Sequence, residues 1–452
     1  MKKYYHFIGI GGIGMSGIAQ LLLKSGFGVS GSDLNKNNNT RMLSDLGGRI
    51  FLGHQAENIS NQDVVVYSSA ISENNPELLQ AKRLGIPLIK RAQALAELMQ
   101  QKTAITVAGS HGKTTTTSLI SYMLLEAGLS PSVAIGGILN NIRTNACLGN
   151  GEFFVAEADE SDGSFLHYSP KYSVITNVDR EHLDYYRNFD NALDAFGLFI
   201  QRTLPGGCVF ACSDDAQLLN IMRTYAGKRV FFGLNSGADI YAKNIEFDML
   251  SSEFDCFFND KFIAHFDLAL AGRHNISNAL AVIALGLELG IDLKYIQSSL
   301  AGYKGAGRRL EIKFKNDKYL VIDDYAHHPT EIKATLEAIA NLNVKRKIVV
   351  FQPHRYSRTQ LLLDDFARSF ELADYLIITD IYAASEQPIE GISAQGVLKK
   401  INEFYPDKAV LYLAKEDIRP HILSILRDND LIIFLGAGDI VRVSDALAAE
   451  LK

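Results

Sequence analysis

The chain has 452 residues, too many for one ordinary domain, and its length predicts roughly two to four. Hydrophobic residues make up 47% and charged residues 21%, which excludes disorder, collagen-like repeats and a disulfide scaffold. A net charge of -6 without a dense Lys/Arg run argues against nucleic-acid binding. No apolar run reaches the about 20 residues that span a bilayer, and the start of the chain lacks a secretory cleavage site, which predicts a cytoplasmic protein without membrane insertion. The cysteines lack zinc-site spacing and are interpreted as buried, reduced thiols.

Short β-rich apolar runs alternate with helical patterns along the whole chain, which predicts an α/β protein with largely parallel sheets. Residues 1–98 predict a Rossmann-like N-terminal domain, and residues 99–307 a central P-loop ATPase-like α/β domain. Residues 308–452 predict a C-terminal Rossmann-like, doubly wound domain. The glycine-rich stretch 302–307 has the composition of a hinge before this last block.

The first block opens with a predicted strand at residues 4–10 and a helix through residues 18–23. Between them, the run from Gly9 to Gly14 has the spacing G-x-G-x-x-G. Such glycines let a helix N-terminus approach a pyrophosphate, and Asp33, which ends the strand at 28–33, stands where an acid meets a ribose or sugar hydroxyl. The motif predicts a diphosphate ligand without specifying which. A nicotinamide dehydrogenase and a purely structural glycine turn remain alternatives.

The second block begins with a strand at residues 103–108 that runs into Gly109-Ser110-His111-Gly112-Lys113-Thr114. This G-x-x-G-K-T is two residues shorter than the usual phosphate loop, since Val107 stands where the first glycine would fall. Its backbone N–H groups suit phosphates, Lys113 suits the β and γ phosphates, and the Thr114 hydroxyl suits Mg²⁺. The alternative is a surface lysine after a helix-capping serine. With two nucleotide motifs, the chain is not a simple dehydrogenase.

Acidic and polar residues follow two further predicted strands of this block. Glu157 and Asp159 come at the end of the strand at 153–157, where oxygen ligands suit Mg²⁺. Asn177, Asp179 and His182 follow the strand at 172–177 and predict a metal or phosphate role. A solvated acidic loop and an ordinary polar histidine are the alternatives. The third block has predicted strands at 319–323, 347–351, 375–379 and 431–435.

Motifs in all three blocks, in the same order, resemble those of the Mur ligases of peptidoglycan synthesis. The resemblance implies an ATP-dependent ligase that uses Mg²⁺ and the substrates UDP-N-acetylmuramate, L-alanine and ATP. ATP would phosphorylate the lactyl carboxylate, and the alanine amine would displace phosphate from the acyl phosphate. The motifs that carry the resemblance are Gly9 to Gly17, Gly109 to Thr114, Glu157 to Asp162, Thr176-Asn177 with Glu181 to Asp184, Gly272 to Asn275 with Asn278, Gly307 to Arg309, Asp324 to Pro329, and Pro353 to Thr359.

The resemblance also implies roles for individual residues at the ATP site. Lys113 would stabilise the transferring phosphate, while Thr114 and Glu157 would hold Mg²⁺ and His182 a second Mg²⁺. The catalytic residues are therefore expected to be Lys113, Glu157 and His182. The ATP-binding set is Gly109, Ser110, His111, Gly112, Lys113, Thr114, Thr115, Asn275, Asn278, Arg309, Asp324 and His327. For the asparagines, Arg309 and Asp324, helix caps, surface charge and a loop acid are the alternatives.

For the other two substrates, the resemblance implies one set of residues in each outer domain. The UDP-sugar set is Gly11, Gly12, Ile13, Gly14, Asp33, His54 and Ser69. The amino-acid and carboxylate set is His354, Arg355 and Arg358, on the C-terminal domain that would also close over ATP; a solvated helix start is its alternative.

One departure from the family pattern narrows the assignment. Several relatives use a carbamylated lysine downstream of the counterpart of His182, and this chain has no lysine between Glu181 and Arg202. In lacking this lysine, the chain resembles the alanine-adding branch of the family. A recycling ligase that attaches a whole tripeptide to the same UDP sugar is the nearest rival, and an NAD(P)-binding dehydrogenase or sensor is a rival from another class. We expect a monomer or a homodimer.

Overall fold

The structure, a computed structural model, describes residues 2–68 and 71–452, so Ser69 of the predicted UDP-sugar site lies outside the described residues. The chain forms two compact units. Unit 1 comprises Met1–Lys243, Asp255–Phe266 and Ser277–Lys304; unit 2 comprises Asn244–Phe254, Asp267–Ile276 and Gly305–Lys452. Three sheets, one for each predicted block, confirm the α/β class. The domain boundaries at 98 and 307 stay predictions.

The N-terminal sheet has five parallel strands in the order β3-β2-β1-β4-β5. Its chain order reverses next to β1, and such a switch point opens a crevice at the carboxyl ends of the strands. The strands are β1 (Tyr4–Ile8), β2 (Gly28–Asp33), β3 (Arg49–Leu52), β4 (Val64–Tyr67) and β5 (Leu88–Lys90). The helices are α1 (Ile13–Lys24), α2 (Asn38–Asp45), α3 (Pro76–Leu84) and α4 (Arg91–Met99), with a 3₁₀ turn at Ala56–Asn58.

Local sequence signals account for several of these element ends. Strand β1 ends at Ile8, two residues before the predicted end, because Gly9 turns the backbone with φ +78°. Helix α3 begins with a proline, and the side chain of Asn75 accepts hydrogen bonds from its first backbone N–H groups. The helix ends at Gly85 in the left-handed conformation. These ends place the carboxyl termini of β1 and β2 beside the glycine-rich loop.

The central sheet has ten strands in the order β15-β14-β13-β12-β11-β10-β6-β9-β7-β8, with β6 between β10 and β9. The strands are β6 (Thr103–Ala108), β7 (Ser132–Leu139), β8 (Thr144–Cys147), β9 (Phe153–Glu157), β10 (Tyr172–Ile175), β11 (Cys208–Cys212), β12 (Lys228–Gly233), β13 (Ile240–Asp248), β14 (Ser251–Phe258) and β15 (Lys261–Leu268). The helices are α5 (Lys113–Glu126), α6 (Leu183–Tyr186), α7 (Phe189–Gln201), α8 (Ala216–Met222), α9 (Arg273–Glu288) and α10 (Leu293–Ala301), with a 3₁₀ turn at Ser164–His167. The parallel pairs β6–β9 and β6–β10 bring three strand ends to one edge.

The C-terminal sheet has six strands in the order β16-β17-β21-β18-β19-β20, in which only β16 is antiparallel to its neighbour. The strands are β16 (Glu311–Lys315), β17 (Tyr319–Asp324), β18 (Arg346–Phe351), β19 (Tyr375–Ile378), β20 (Ala409–Tyr412) and β21 (Asp430–Leu435). The helices are α11 (Pro329–Ala338), α12 (Tyr356–Leu361), α13 (Leu363–Ala367), α14 (Ala394–Phe404), α15 (Lys415–Ile425) and α16 (Val441–Glu450).

Alternating residues of the C-terminal strands pack into two separate cores. Val349 and Ile433 contribute to one core, whereas their neighbours Val350 and Ile432 contribute to the other. Because helices cover both faces, the doubly wound prediction for this block is confirmed. Within residues 2–68 and 71–452, no helix is both long enough and apolar enough to cross a membrane.

Candidate functional site

In the four-residue loop 109–112 between β6 and α5, the backbone packs so closely against its neighbours that two positions have room only for glycine. Gly109 and Gly112 have φ +136° and +81°. A Cβ at Gly109 would lie 2.1 Å from the Thr176 hydroxyl oxygen, and one at Gly112 would lie 2.7 Å from Asn278 Oδ1. The loop therefore keeps its backbone close to both neighbours without side chains in between. Val107 stands where the usual phosphate loop has its first glycine. The chain still forms a strand, a tight loop and a helix in the order that such a loop requires.

The segment after β10 fixes this loop through hydrogen bonds. The backbone N–H of His111 donates to Asn177 Oδ1 at 2.9 Å, and the Thr176 hydroxyl donates to the His111 carbonyl at 2.6 Å. His111 Nε2 lies 2.9 Å from Asp179 Oδ2, and the Asp179 N–H donates to the Ser110 hydroxyl at 2.8 Å. The predicted polar residues at this strand end therefore hold the loop itself.

Lys113, the first residue of α5, lies among carboxylates. Its Nζ is 2.9 Å from Glu160 and donates to the carbonyls of Gly109 at 2.5 Å and Ser110 at 3.0 Å. Burial lowers the pKa of Lys113, but Glu160, Asp159 and Glu157 outweigh it and raise the pKa, so the ammonium stays charged. The lysine of the phosphate loop therefore carries the positive charge that its predicted role needs.

Thr114 and Glu157, both predicted Mg²⁺ ligands, are brought together. The Thr114 hydroxyl lies 3.1 Å from each carboxylate oxygen of Glu157. Glu157 ends β9 and also accepts the backbone N–H of Gly136 at 2.8 Å. A hydroxyl and a carboxylate at this distance from each other are a suitable pair of oxygen ligands for one hard cation.

His182, the third predicted ligand, lies in a second acidic cluster. Its Nε2 is 3.3 Å from Glu181 and 3.6 Å from Glu160, and one ligand atom from each of the three residues lies within 4.8 Å of the others. Burial and Asp159 raise the pKa of Glu160 against the opposing charges of Lys113 and His182. His182 adopts φ +56°, a strained conformation for a non-glycine residue that is common at functional sites. The donor set fits a divalent cation.

The glycine-rich loop of the first block shares a cavity with the central carboxylates. Arg91, at the start of α4, pairs with Asp159 at 3.2 Å, and a Cβ added at Gly14 would lie 2.5 Å from an Arg91 nitrogen. The cavity is about 90 Å³ in volume, and Gly14, Arg91, Glu157, Asp159 and Tyr168 are among its lining residues. Two motifs far apart in the sequence thus line one space within unit 1.

The other described residues of the predicted UDP-sugar set gather at the carboxyl ends of β1, β2 and β3. The N–H of Gly11 donates to Asp33 Oδ2 at 2.8 Å. Gly12 precedes α1 as its N-cap, and Ile13 starts that helix with 44% of its surface exposed. His54 follows β3, and its Nδ1 lies 2.8 Å from the hydroxyl of Ser32 on β2. The structure brings these residues together at one edge of the N-terminal sheet.

The two asparagines predicted for adenine lie on α9. Both are buried, with 5% of Asn275 and 6% of Asn278 exposed. Asn275 donates from Nδ2 to the carbonyl of Ala271 at 2.7 Å, whereas Asn278 adjoins Gly112 of the phosphate loop. Asn278 therefore lies beside the loop 109–112 in unit 1, and the division between the two units runs through α9.

In unit 2, Arg309, Asp324 and His327 gather at the end of β17. The guanidinium of Arg309 lies 5.1 Å from the ring centre of Tyr325 and 3.9 Å from Glu331. His327 Nδ1 lies 3.2 Å from Glu331. Asp324 accepts the backbone N–H of Leu310 at 2.7 Å and that of Ala326 at 2.8 Å, so it holds the segment before β16 and the segment after β17.

The predicted amino-acid residues follow β18 in the same unit. His354 stacks on Tyr382 at 5.6 Å, and Arg358 donates to His354 Nδ1 at 3.1 Å. Arg355 has φ +69° and lies 4.0 Å from Glu386. His327 and His354 make an edge contact at 5.4 Å, so the ATP and amino-acid sets of the C-terminal block are neighbours.

The sequence interpretation missed several charged residues that the structure brings to these sites, among them Arg91, Glu160, Glu181, Glu331 and Glu386. Glu160 and Glu181 lie within two of the motifs named above, Glu157 to Asp162 and Glu181 to Asp184. The sequence therefore contained the signal, but no role was assigned to these two residues. Arg91 and Glu386 had no local signal, because each meets its partner through the folding of distant segments.

The chain matches three family models, and these follow each other along it without overlap. They are the Mur ligase family catalytic domain at residues 4–103, the Mur ligase middle domain at 107–286, and the Mur ligase glutamate ligase domain at 308–438.

Relatives also match nearly the whole length of the chain. The UDP-N-acetylmuramate–L-alanine ligase of Desulfatibacillum aliphaticivorans is 46% identical, with 99% of each chain covered. The crystal structure of the UDP-N-acetylmuramate-alanine ligase of Thermotoga maritima is 30% identical, has a TM-score of 0.83 and covers 99% of both chains. A murein peptide ligase from Psychrobacter arcticus covers 99% of this chain and 98% of its own with a TM-score of 0.72, but at 24% identity it shows a shared fold alone.

Proposed function

The chain belongs to the Mur ligase family, and from this premise we propose that it joins L-alanine to the lactyl carboxylate of UDP-N-acetylmuramate at the expense of ATP. A lactyl oxygen attacks the γ-phosphorus and ADP leaves. The amine nitrogen of alanine then attacks the acyl carbon, the C–O bond to phosphate breaks, and the amine loses a proton. The products are UDP-N-acetylmuramoyl-L-alanine, ADP and phosphate, for peptidoglycan synthesis.

The observation that carries this proposal is the shared cavity of unit 1. Gly14 of the diphosphate motif lies on one side, and Glu157 and Asp159 beside the phosphate loop lie on the other. A sugar nucleotide held by its diphosphate at Gly14 can therefore extend its carboxylate towards a γ-phosphate held near Lys113. No side-chain nucleophile is needed, since alignment and charge neutralisation lower the barrier to both steps.

Lys113 would neutralise the transferring phosphate. To do so it exchanges its present contacts with Glu160 and the loop carbonyls for phosphate oxygens. Thr114 and Glu157 would hold one Mg²⁺, and Glu160, Glu181 and His182 a second. When bound, these ions supply positive charge to phosphate oxygens. Asn177, which accepts the backbone N–H of His111, keeps the loop in its observed shape.

The remaining ligands are assigned to the other gathered residues. Asn275, Asn278, Arg309, Asp324 and His327 would bind ATP, and His354, Arg355 and Arg358 the carboxylates of the amino acid and acceptor. Gly11 to Gly14, Asp33 and His54 would hold the UDP sugar.

The direct test is ADP release with UDP-N-acetylmuramate and a panel of L-alanine, L-serine, glycine and the tripeptide of the recycling reaction. We expect the largest kcat/KM with L-alanine. Preference for the tripeptide would support the recycling rival. Titration with NAD(P) tests the other rival, which requires NAD(P) binding at the glycine-rich loop. Binding of UDP-N-acetylmuramate without binding of NAD(P) would exclude that rival, whereas saturable NAD(P) binding without any binding of UDP-N-acetylmuramate would contradict the assignment of the loop.

A further inference from the structure

Glu77 is a fully buried acid in the N-terminal sheet, away from the phosphate loop. It stands in the first turn of α3 with 0% of its surface exposed. Its Oε1 accepts from Asn58 Nδ2 at 2.6 Å, and its Oε2 accepts from the Ser32 hydroxyl at 2.6 Å. A buried carboxylate needs such donors, because an unpaired charge in a low dielectric is costly. Both oxygens of Glu77 are therefore paired within the protein.

These partners keep Glu77 ionised. Burial raises the pKa of its carboxyl, but the His6 imidazole, 3.6 Å away, and the hydrogen bonds from Ser32 and Asn58 outweigh burial and lower the pKa. An ionised carboxylate can only accept hydrogen bonds. The single proton of the Ser32 hydroxyl must therefore point at Glu77, since no other arrangement gives the 2.6 Å contact a hydrogen.

The direction of that proton determines what Ser32 offers to His54. Ser32 Oγ also lies 2.8 Å from His54 Nδ1, and its only proton is already used. The oxygen can then only accept, so the hydrogen of the second contact belongs to His54 Nδ1. His54 Nδ1 is also 3.4 Å from Glu77 Oε2, where a lone pair would face a carboxylate and an N–H is favoured. Both contacts select the same tautomer.

We propose that Glu77 is a positioning residue of the UDP-sugar site, which acts through Ser32 to select the His54 tautomer that has its proton on Nδ1 and its lone pair on Nε2. His54 then presents a hydrogen-bond acceptor, suited to an N–H or O–H donor of the uridine or sugar rather than to a phosphate oxygen. This inference rests on the proposed function only for the identity of the ligand at His54.

The tautomer can be measured in the wild-type protein without any ligand. Two-dimensional ¹⁵N–¹H spectra of ¹⁵N-histidine-labelled protein at about pH 8, above the ordinary imidazole pKa, report which ring nitrogen is protonated. Signals of His54 are assigned by their loss in His54→Gln. We expect the proton on Nδ1. A proton on Nε2 would overturn the proposal, whatever the enzyme's substrates are.

Glu77→Gln tests whether the acid sets this state. In the variant, the amide oxygen keeps the bond from Asn58, so the amide N–H₂ faces Ser32 and reverses its hydroxyl towards His54 Nδ1. We expect the His54 proton to move to Nε2. The Kd and KM for UDP-N-acetylmuramate should rise about tenfold, which corresponds to one hydrogen bond, with kcat and the KM for ATP within about twofold. Glu57→Gln, the same change at an exposed residue of the neighbouring 3₁₀ turn, should change none of these.

Other outcomes decide the matter as well. An unchanged tautomer or an unchanged affinity in folded Glu77→Gln would refute the positioning role. If that variant does not fold, Ser32→Ala, which leaves His54 Nδ1 only its 3.4 Å contact with Glu77, should increase the share of the Nε2–H tautomer and weaken binding; an unchanged tautomer share with unchanged affinity would refute the relay. Failure of the wild type to bind UDP-N-acetylmuramate would instead refute the proposed function and leave the tautomer result standing.

Discussion

Glu77 and Glu160 are two buried glutamates of unit 1 in opposite electrostatic situations. Glu77 accepts two short hydrogen bonds, and its pKa is lowered despite burial. Glu160 is 2% exposed and pairs with Lys113, yet its pKa is raised because burial and Asp159 oppose its charge. The first site is complete without a ligand. The second holds more carboxylates than cations, which is the arrangement expected of a place that receives Mg²⁺.

The strongest way to disturb the second site is Lys113→Ala. The change removes the cation expected to meet the transferring phosphate, so we expect ADP formation to fall by about 10³-fold or more. UDP-N-acetylmuramate affinity should stay within about threefold, because the glycine-rich loop is intact. Rapid-quench ADP assays and calorimetric titration measure the two quantities.

Lys24→Ala, an exposed lysine in the last turn of α1, is the matched control and should leave both unchanged. Normal ADP formation in Lys113→Ala would remove the phosphate-loop assignment.

Glu160→Gln should separate catalysis from stability. We expect kcat to fall on the order of 10²-fold and the half-saturating Mg²⁺ concentration to rise, since a proposed ligand loses its charge. Glu77→Gln should leave kcat nearly unchanged. Steady-state assays over a Mg²⁺ series report both effects, and equal loss of kcat in the two variants would contradict the contrast between the sites.

The same two variants should have the opposite order in stability: Glu77→Gln should lose more stability than Glu160→Gln. Glu77→Gln replaces a charged acceptor of two bonds, so we expect the free energy of unfolding to fall by about 1–3 kcal/mol. Glu160→Gln relieves excess charge and should cost less when Mg²⁺ and nucleotide are absent. Urea unfolding measures the difference, with Glu57→Gln as the exposed control; a larger loss in Glu160→Gln would reverse our interpretation.

Because the pKa of Glu77 is lowered in the folded protein, the stability that Glu77 contributes should decrease at low pH. An acid with a depressed folded pKa stabilises above its unfolded pKa of about 4.3, and this contribution is lost as pH falls through the folded value. The difference in unfolding free energy between wild type and Glu77→Gln should therefore be constant above about pH 5 and shrink below about pH 4. Unfolding series that extend below about pH 4 and above about pH 5 measure it, and a difference that grows on acidification would be inconsistent with a lowered pKa.

Arg91→Lys is expected to have the smallest effect. Lysine keeps the charge beside Asp159 but loses the guanidinium nitrogen that lies next to Gly14, so the KM for UDP-N-acetylmuramate should rise about two- to fivefold. Kinetics at fixed ATP and L-alanine measure it. Arg83→Lys changes an exposed arginine of α3 and should leave this KM unchanged. An equal rise of the KM in both variants would contradict a specific role of Arg91 at the cavity.

Local motifs were predictable from sequence, and long-range partners were not. The loop at Gly109 to Lys113 was identified because its strand, glycines and helix are contiguous. Glu77 meets Ser32, and Arg91 meets Asp159, across 45 and 68 residues, through crossover connections whose packing no short pattern encodes. Glu160 escaped assignment because it lies beyond the end of β9, where a turn rather than strand alternation sets its direction.

The contact of Lys113 with Glu160 also bears on how the enzyme would finish a cycle. While a γ-phosphate is present, Lys113 has a strongly charged partner outside the protein. Once that phosphoryl group has been transferred, ADP offers the lysine less charge, and Glu160 competes for it from 2.9 Å. The internal ion pair would thus re-form as the nucleotide departs, so we expect the same carboxylate to hasten ADP dissociation and free the loop for the next ATP.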